Sequence, residues 1–343
     1  MASGEAWAPP KIAQLAFCTS DLPQSVRLYS EAFGFAPAGG NMVWGQWLAD
    51  IQDLGDDAAT AIGWLVGRQD LLQLEFFSHT LPRPRPLAED WRPSDLGWVR
   101  WGLTVADFEP ALERLQALGV STMTRPQDHA GVRRVCFRDP GTGIVVELLR
   151  DGPGLPGGVR RRYYDLAPAV VYATLSVPEL QAARSFYLGT LGLVEEDVTL
   201  HTPDMESLWG LPGARSESFV ARGGDVYLEV VCYADPVGRP RPDGYRLSDQ
   251  GFMNIAVGSR VRGESEAMID QVRAAGHRIN AELPGVAAGG TYMSDGQGNS
   301  LEVICAPREF DSTFGFAPAP QLLRPPGWPA AAVAPAAPAP AGL

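Results

Sequence analysis

The segment FRDPGTGIVVEL at residues 137–148 joins a glycine-rich turn to an apolar strand that carries one glutamate, Glu147. Glycine and asparagine suit tight hairpins, and the segment SDGQGN forms a second turn of this kind near the C-terminus. Three further apolar runs carry a glutamate in the same setting: Glu75 in LLQLEFF, Glu229 in VYLEVV and Glu302 in SLEVIC. One glutamate-bearing strand is therefore repeated four times.

Each of these strands is preceded, further up the chain, by another strand and a helix signal. The four helix signals are SDLPQSVRLYSEAFG, ADFEPALERLQALG, VPELQAARSFYLGTLG and GESEAMIDQVRAAG. Each has apolar residues at helical spacing and ends at a glycine, which readily adopts the left-handed conformation that closes many helices. In the first signal, Ser20 or Asp21 can cap the helix and Gly34 can close it. Such repetition predicts four copies of one module.

The equivalent polar positions on the four first strands are Gln14, Arg100, Tyr172 and Asn254. The distance along the chain from this position to the glutamate alternates long, short, long, short, so the repeated unit is a pair of modules. We expect an α+β protein with two paired domains, residues 11–150 and 167–306. Residues 311–343 are rich in Pro and Ala and are expected to form a disordered tail.

Composition narrows the partners of the chain. The formal net charge of -12 disfavours nucleic acid. The sequence lacks a signal peptide and any apolar run of the roughly 18 residues that span a membrane, so we expect a cytoplasmic protein with no membrane partner. The four cysteines have no CxxC spacing and suggest neither a zinc knuckle nor a redox pair. The oligomeric state stays open, a homodimer included.

Four βαβββ modules with a polar residue on strand one and a glutamate on strand four resemble the vicinal oxygen chelate superfamily, across residues 11–306. This superfamily includes glyoxalase I, methylmalonyl-CoA epimerase, extradiol dioxygenases, cyclitol epimerases and drug-sequestering resistance proteins. The resemblance implies one cupped sheet for each pair of modules. It also implies that the strand-one residues and the glutamates point into the cup.

In members that bind metal, the strand-one positions are typically His or Gln, and the strand-four positions are Glu. Here no histidine occupies a strand-one position, although all four glutamates are present. The four-module length resembles extradiol dioxygenases, which hold Fe(II) with two histidines and one glutamate. The residues at these positions therefore argue against that activity.

The predicted second domain places two carboxylates together without a cation, since Glu229 and Glu302 would face only Tyr172 and Asn254. A shared proton or a divalent ion would have to relieve this charge. We expect Mg, Mn, Ni or Zn as the ion, and a protein without a cofactor is an equal alternative. The candidate metal ligands are Glu302, Glu229 and Asn254, followed by Gln14, Glu75 and Glu147.

The predicted first domain places Arg100 beside Glu75 and Glu147, in the position of the metal. Arg100 would form an internal salt bridge or stabilise an enediolate. His129 and His201 are the histidines expected nearest a cup rim. Five tryptophans of this half form either core or an aromatic wall for a flat ligand: Trp44, Trp47, Trp64, Trp98 and Trp101.

The leading functional hypothesis is an epimerase, isomerase or lyase that moves a proton next to a carbonyl group on a small polyoxygenated metabolite. Glu229 or Glu302 would be the base and Tyr172 the acid. One alternative is a non-catalytic binding or resistance protein that holds an aromatic compound, and another is an extradiol-type dioxygenase completed by a loop histidine. The expected substrate-binding residues are Asn254, Arg100, Gln14 and His201.

Overall fold

The computed structural model describes residues 9–285 and 288–321, and its elements repeat four times. The first module contains β1 (Lys11–Cys18), α1 (Leu22–Leu28), β2 (Ala36–Trp44), α2 (Gln46–Gln52), β3 (Ala59–Val66) and β4 (Gln73–Leu81). The second contains β5 (Gly97–Val105), α3 (Phe108–Ala117), β6 (Gln127–His129), β7 (Val132–Arg138) and β8 (Val145–Arg150).

The second half repeats this order. The third module contains β9 (Ala169–Ser176), α4 (Leu180–Arg184), β10 (Val194–Glu195), β11 (Arg215–Gly223) and β12 (Val226–Asp235). The fourth contains β13 (Gly251–Ser259), α5 (Arg262–Ala274), β14 (Gly289–Ser294) and β15 (Ser300–Cys305). Short π-helices extend α1 and α4, at Tyr29–Phe33 and Ser185–Thr190, and 3-10 helices lie at Gly157–Arg160, Pro203–Trp209 and Arg308–Phe310. The predicted α+β class is confirmed.

The first helix begins and ends where its sequence predicts. The side chain of Asp21 accepts a hydrogen bond from the backbone N–H of Gln24 at 2.9 Å, which satisfies a donor that the first turn leaves free. At the other end, Gly34 has a φ of 84° and closes the π-helix that follows α1. Capping chemistry therefore sets both ends of this element.

The strands form two sheets whose module content differs from the predicted pairing. A seven-stranded sheet, here sheet A, has the order β14-β15-β13-β1-β4-β3-β2 and joins modules one and four. An eight-stranded sheet, here sheet B, has the order β10-β11-β12-β9-β5-β8-β7-β6 and joins modules two and three. The expectation that residues 11–150 and 167–306 would each form one sheet is thus corrected. Spacing reveals which modules repeat, but the long-range pairing of β1 with β13 leaves no mark on it.

The register between first and last strands is the same in all four modules. Gln14 lies opposite Gln73, Arg100 opposite Val145, and Tyr172 opposite Tyr227, in each case two residues before the glutamate. The pairing of Ile255 with Leu301 gives Asn254 the same relation to Glu302. Because side chains alternate along a strand, each strand-one residue shares a face with its glutamate.

The opposite face of each strand is apolar and forms the main core. In β1, Leu15 and Phe17 lie in this core, which both sheets and the helices share. The Phe17 ring lies 5.5 Å from Trp101, so the two sheets pack through aromatic side chains. Trp98 and Trp101 are therefore core residues, whereas Trp44 and Trp47 are exposed.

The chain after β15 packs on sheet A as far as the structure describes it. Asp311 pairs with Arg260, Phe316 is buried, and the backbone N–H of Ala319 donates to Pro37 O at 2.8 Å. The predicted disordered tail, 311–343, is therefore wrong for residues 311–321, because apolar Phe316 anchors a segment whose average composition is rich in Pro and Ala. Residues 322–343 lie outside the described residues.

Candidate active site at the centre of sheet A

Two carboxylates meet at the centre of sheet A. Gln14 Nε2 lies 2.6 Å from Glu75 Oε2 and 3.1 Å from Glu302 Oε2, so one amide bridges both groups. Trp64 on the neighbouring strand β3 donates its indole N–H to Glu75 Oε1 at 2.8 Å. Strands from the two ends of the chain thus bring together one glutamine and two glutamates.

No cation compensates these two carboxylates. Within residues 9–285 and 288–321, neither Glu75 nor Glu302 forms an ion pair. Burial raises the pKa of Glu75 to about 7 against the opposing hydrogen bond from Trp64. Burial and the charge of Glu75 together raise the pKa of Glu302 well above its ordinary value. A proton or a cation must therefore be shared at this centre.

Asn254 lies on the same face of sheet A and has no partner for its amide. It is opposite Ala16 of β1, is 0% exposed, and neither Oδ1 nor Nδ2 makes a hydrogen bond within the described part of the chain. A buried amide without partners costs about 1–3 kcal/mol. Such an orphaned group beside two carboxylates indicates a place where a ligand binds.

The orientation of the Gln14 amide depends on Gln73, which lies opposite it. As placed, Nε2 of Gln73 donates to Oε1 of Gln14 at 2.7 Å, and the oxygen of Gln73 then faces the carbonyl oxygens of Phe314 and Gly315. Rotating the Gln73 amide allows its nitrogen to donate to Gly315 O at 2.8 Å and Phe314 O at 3.0 Å. Gln14 must then rotate as well, and its oxygen lies against both glutamates.

The four side chains of this centre offer oxygen donors to a metal. The described residues contain no cluster of three or more His, Cys, Asp or Glu side chains that could hold an ion. Two carboxylates and two amides nevertheless converge here, and oxygen ligands suit Mg²⁺ and Mn²⁺ better than Zn²⁺, which favours nitrogen and sulfur. The rotated Gln14 amide and the orphaned Asn254 fit such an ion, because each can turn an oxygen toward it.

The equivalent centre of sheet B is filled by internal ion pairs. Arg100 Nη2 lies 2.6 Å from Glu229 Oε2, and Arg134 Nη1 lies 3.1 Å from Glu147 Oε1. His201 bridges both glutamates, with Nδ1 2.7 Å from Glu229 Oε1 and Nε2 3.1 Å from Glu147 Oε2. Two arginines and a histidine therefore surround two carboxylates.

The pKa values in sheet B move opposite to those in sheet A. Burial would raise the pKa of Glu147, but Arg134 and His201 outweigh burial and lower it to about 2. His201 and Arg100 likewise outweigh burial and hold the pKa of Glu229 far below its usual range. Burial opposes protonation of His201, yet the two glutamates raise its pKa. These glutamates remain ionised at neutral pH and are already hydrogen-bonded.

Comparison with known proteins agrees with this fold. Residues 11–148 match the model of the Glyoxalase/Bleomycin resistance protein/Dioxygenase superfamily. Residues 11–148 belong to this superfamily. The structure resembles a proposed dioxygenase from Bacillus subtilis subsp. subtilis str. 168, with a TM-score of 0.59 at 12% identity over 90% of this chain and 91% of the other. No curated protein matches the sequence.

Two structures of glyoxalase I from Zea mays show the same likeness. A point mutant of that enzyme gives a TM-score of 0.57 at 16% identity, over 90% of this chain and 95% of that one. The unmutated protein gives 0.55 at 16% identity, over 86% and 92%. At these identities the likeness concerns the fold, and it confirms the resemblance to the vicinal oxygen chelate superfamily. Among the described residues, no helix has the length and apolarity needed to cross a membrane.

The superfamily fold separates residues that the sequence analysis grouped together. Glu302 and Asn254 lie in sheet A with Gln14 and Glu75, whereas Glu229 lies in sheet B. The expected cup with Glu229 facing Glu302 does not form, because modules three and four belong to different sheets. Consequently, neither Glu229 nor Glu147 can share a metal with Glu302.

Several other expected roles also change in sheet B. Tyr172 donates to Glu147 at 2.7 Å and is buried, so it does not act beside Glu302. Arg100 pairs with Glu229 rather than with Glu75. His201, expected at a cup rim, lies between the two glutamates of this sheet, where it is part of the internal network and also lines a cavity with Arg134 and Tyr172.

Sequence reasoning missed residues that approach each centre from neighbouring strands. Arg134 of β7 lies two positions before Cys136, which is opposite Glu147, so alternation places Arg134 on the same face. Tyr292 of β14 lies opposite Glu302, and its hydroxyl lowers the pKa of that carboxyl against the effect of burial. Alternation along these strands could have identified both residues if the pairing had been known. No sequence pattern predicted the contacts of Gln73 with Gln14 and with the segment at Phe314 and Gly315.

The remaining histidines do not add a ligand to sheet A. His79 lies on β4, and its Nε2 is 3.0 Å from Gln52 Oε1. Burial lowers the pKa of His79 to about 4, so it is neutral at physiological pH. His129 pairs with exposed Asp204 at the edge of sheet B.

Proposed function

We propose that the protein is an isomerase, epimerase or lyase that moves a proton on the carbon next to a carbonyl group of a small polyoxygenated metabolite. The centre of sheet A would be its active site. One observation carries the proposal: Glu75 and Glu302 are buried together with no cation beside them among the described residues, and burial raises the pKa of both carboxyls, that of Glu75 to about 7. General acid–base catalysis is most efficient when the pKa lies near the working pH.

The two glutamates have different roles in this proposal. Glu75, with a pKa of about 7, is partly ionised at neutral pH and would remove the proton from carbon. Glu302, whose pKa is raised by burial and by the charge of Glu75, would hold the shared proton and donate it to the substrate. Trp64 donates to Glu75 Oε1 and Gln14 donates to Oε2, so the substrate proton would go to the lone pair of Oε2 that Gln14 does not use. Asn254, whose amide lacks a partner, would hydrogen-bond a substrate oxygen.

A divalent ion would relieve the same negative charge. Glu75, Glu302, Gln14 and Asn254 would hold Mg²⁺ or Mn²⁺ through oxygen atoms. When bound, the ion would stabilise negative charge on a substrate oxygen. Gln14 suits the centre both with and without a bound ion. Its amide can turn a nitrogen toward ionised carboxylates or an oxygen toward a cation.

Proton transfer can be tested before the substrate is known. The purified protein, with and without added Mn²⁺, is incubated in D2O with a panel of hydroxy aldehydes and hydroxy ketones, and deuterium incorporation next to the carbonyl is followed by NMR. We expect incorporation with the wild type and none with Glu75→Gln or Glu302→Gln. The control is Glu109→Gln, whose side chain is 58% exposed on α3 and pairs with Arg133. If no compound is exchanged under either condition, the proposed reaction class is wrong.

A further inference from the structure

Two linkers in the chain have the same sequence pattern. Strap 1, residues 82–98, joins β4 to β5, and strap 2, residues 236–252, joins β12 to β13. Both contain an Arg-Pro pair, an aromatic residue followed by arginine, a Ser-Asp pair, and a glycine followed by an aromatic residue. Because these four short motifs recur at the same spacing in both linkers, we expect the two straps to have the same structural role.

The straps clasp one another across the molecule. Arg85 of strap 1 binds Asp249 of strap 2, with Nε at 3.0 Å and Nη2 at 2.7 Å from Oδ2. In the reciprocal pair, Arg239 of strap 2 binds Asp95 of strap 1, with Nε 3.0 Å from Oδ1 and Nη2 2.7 Å from Oδ2. These bidentate pairs account for the repeated arginines and aspartates.

A cavity of about 420 Å³ lies between the clasped straps. Its aromatic lining comes in equivalent pairs, Trp91 with Tyr245 and Trp98 with Phe252. The cavity is separate from both glutamate centres, since none of Gln14, Glu75 or Glu229 lines it. Concave sites with aromatic walls and few polar groups are the usual form of small-molecule sites.

Among the positions where the straps differ, one gives the cavity a cation on one side and an apolar side chain on the other. Strap 1 has Leu87 where strap 2 has Arg241, and both line the cavity. Arg241 donates to Gly298 O at 2.6 Å and to Asn299 Oδ1 at 3.0 Å, and its guanidinium lies 4.9 Å from the Tyr245 ring centroid. Unlike Arg85 and Arg239, it pairs with no carboxylate in the described part of the chain.

We infer that this cavity is a binding site for a small aromatic anion. The ring of the ligand lies among the two aromatic pairs, and its carboxylate meets Arg241. The cation is already held by Gly298 and Asn299, so little side-chain freedom is lost when the anion binds. The three aspartates of the lining are each paired with an arginine: Asp249 with Arg85, and Asp90 and Asp95 with Arg239. These pairs weaken their repulsion of the anion. This inference is independent of the proposed chemistry in sheet A.

Calorimetric titration of the full chain with 1-naphthoate and with its neutral analogue 1-naphthamide tests the charge requirement. We expect naphthoate to bind at least tenfold more tightly than the amide. Arg241→Gln should abolish this preference and Arg241→Lys should retain part of it. Leu87→Trp should weaken both ligands, because the larger side chain fills the cavity. Thermal unfolding checks that each variant is folded.

Two controls locate the site. Arg162→Gln removes a 50%-exposed arginine outside the straps and should leave binding unchanged. Glu302→Gln alters sheet A and should also leave it unchanged. Loss of naphthoate binding in Glu302→Gln would place the ligand in sheet A instead, and the inference would be overturned. It would equally be overturned if Arg241→Gln and Leu87→Trp, both folded, bound naphthoate as the wild type does, or if the wild type bound neither compound.

Discussion

The centres of sheets A and B are formed by equivalent strands in the same register, yet the charges of their glutamates are balanced in different ways. Sheet A holds Glu75 and Glu302 with neutral neighbours only. Sheet B holds its two glutamates with Arg100, Arg134 and His201. The comparison teaches that a cupped sheet can bury two carboxylates either as an ion-pair network or as a pair that has to share a proton or a cation.

The largest expected effect is on catalysis by sheet A. Glu302→Gln removes one carboxylate while keeping its shape, so we expect proton exchange to fall about 10²–10⁴-fold, the usual contribution of a general acid or base. The free energy of unfolding should hold or rise slightly, because the centre then no longer has to hold a proton or a cation between two buried carboxyls. Denaturant unfolding measures this second quantity. A loss of several kcal/mol would instead make Glu302 a structural partner of a cation.

The matching change in sheet B should affect stability rather than chemistry. Glu229→Gln leaves Arg100 and His201 without their common partner, and removing one member of a buried ion pair costs about 3–5 kcal/mol. Urea unfolding of this variant should therefore show a much lower midpoint than Glu109→Gln, the exposed control. Equal midpoints would show that the sheet B network adds nothing to the fold.

The two sheets should respond to pH in opposite directions. The raised pKa of Glu75, about 7, means that the folded state binds this proton more tightly than the unfolded chain does. The protonated Glu75 carboxyl therefore adds roughly 3 kcal/mol to the free energy of unfolding below about pH 4.5, and this stabilisation is lost as pH rises through 7. The pKa of Glu147 is lowered to about 2, so its ionised carboxylate stabilises the folded state fully above about pH 4.5. This stabilisation is lost as pH falls toward 2.

Unfolding free energies of metal-free wild type and Glu75→Gln between pH 4.5 and 8 check the sheet A part. The difference between them should change across this window, and Mn²⁺ should restore wild-type stability at the upper end if the centre binds the ion. A difference independent of pH would mean that the Glu75 carboxyl is not perturbed.

A smaller effect is expected where the C-terminal segment touches sheet A. A Cβ at Gly315 would lie 2.4 Å from Trp64 Cγ and 2.5 Å from Gln73 Oε1, and Gly315 has a φ of 76°. Gly276, with a φ of 83° and nothing within 4 Å of the same position, is a matched control. Both alanine variants bear the left-handed cost of about 1–2 kcal/mol. Gly315→Ala should be the less stable and should alone reduce proton exchange, through Trp64 and Gln73.

The last prediction is that adding Fe(II) produces no catechol-cleaving activity. Protein loaded anaerobically with Fe(II) should not cleave catechols, because neither centre offers two histidines and a glutamate within the described residues. Oxygen uptake with a catechol panel measures this. Ring cleavage with stoichiometric iron would show that a histidine enters a centre during turnover, and sheet B, which already holds His201, would be the first place to look.

The fourfold repeat of the module could be predicted because it depends on patterns between residues close in sequence. Helix caps such as Asp21, glycine stops such as Gly34 and the four glutamates each depend on neighbours close in sequence. These patterns predicted four modules and the equivalence of the strand-one positions, which the common register supports. The packed segment around Phe316 was missed because its average composition resembles that of a disordered chain.

The sequence by itself determined that four polar positions and four glutamates recur on equivalent strands. Only the tertiary structure decided that β1 pairs with β13 and β5 with β9, and therefore which glutamates meet. The physical reason is that a strand edge offers the same backbone hydrogen bonds to any partner, so the choice depends on how the aromatic core brings distant modules together. That choice placed Arg100, Arg134 and His201 in one sheet and left Glu75 and Glu302 without a cation in the other.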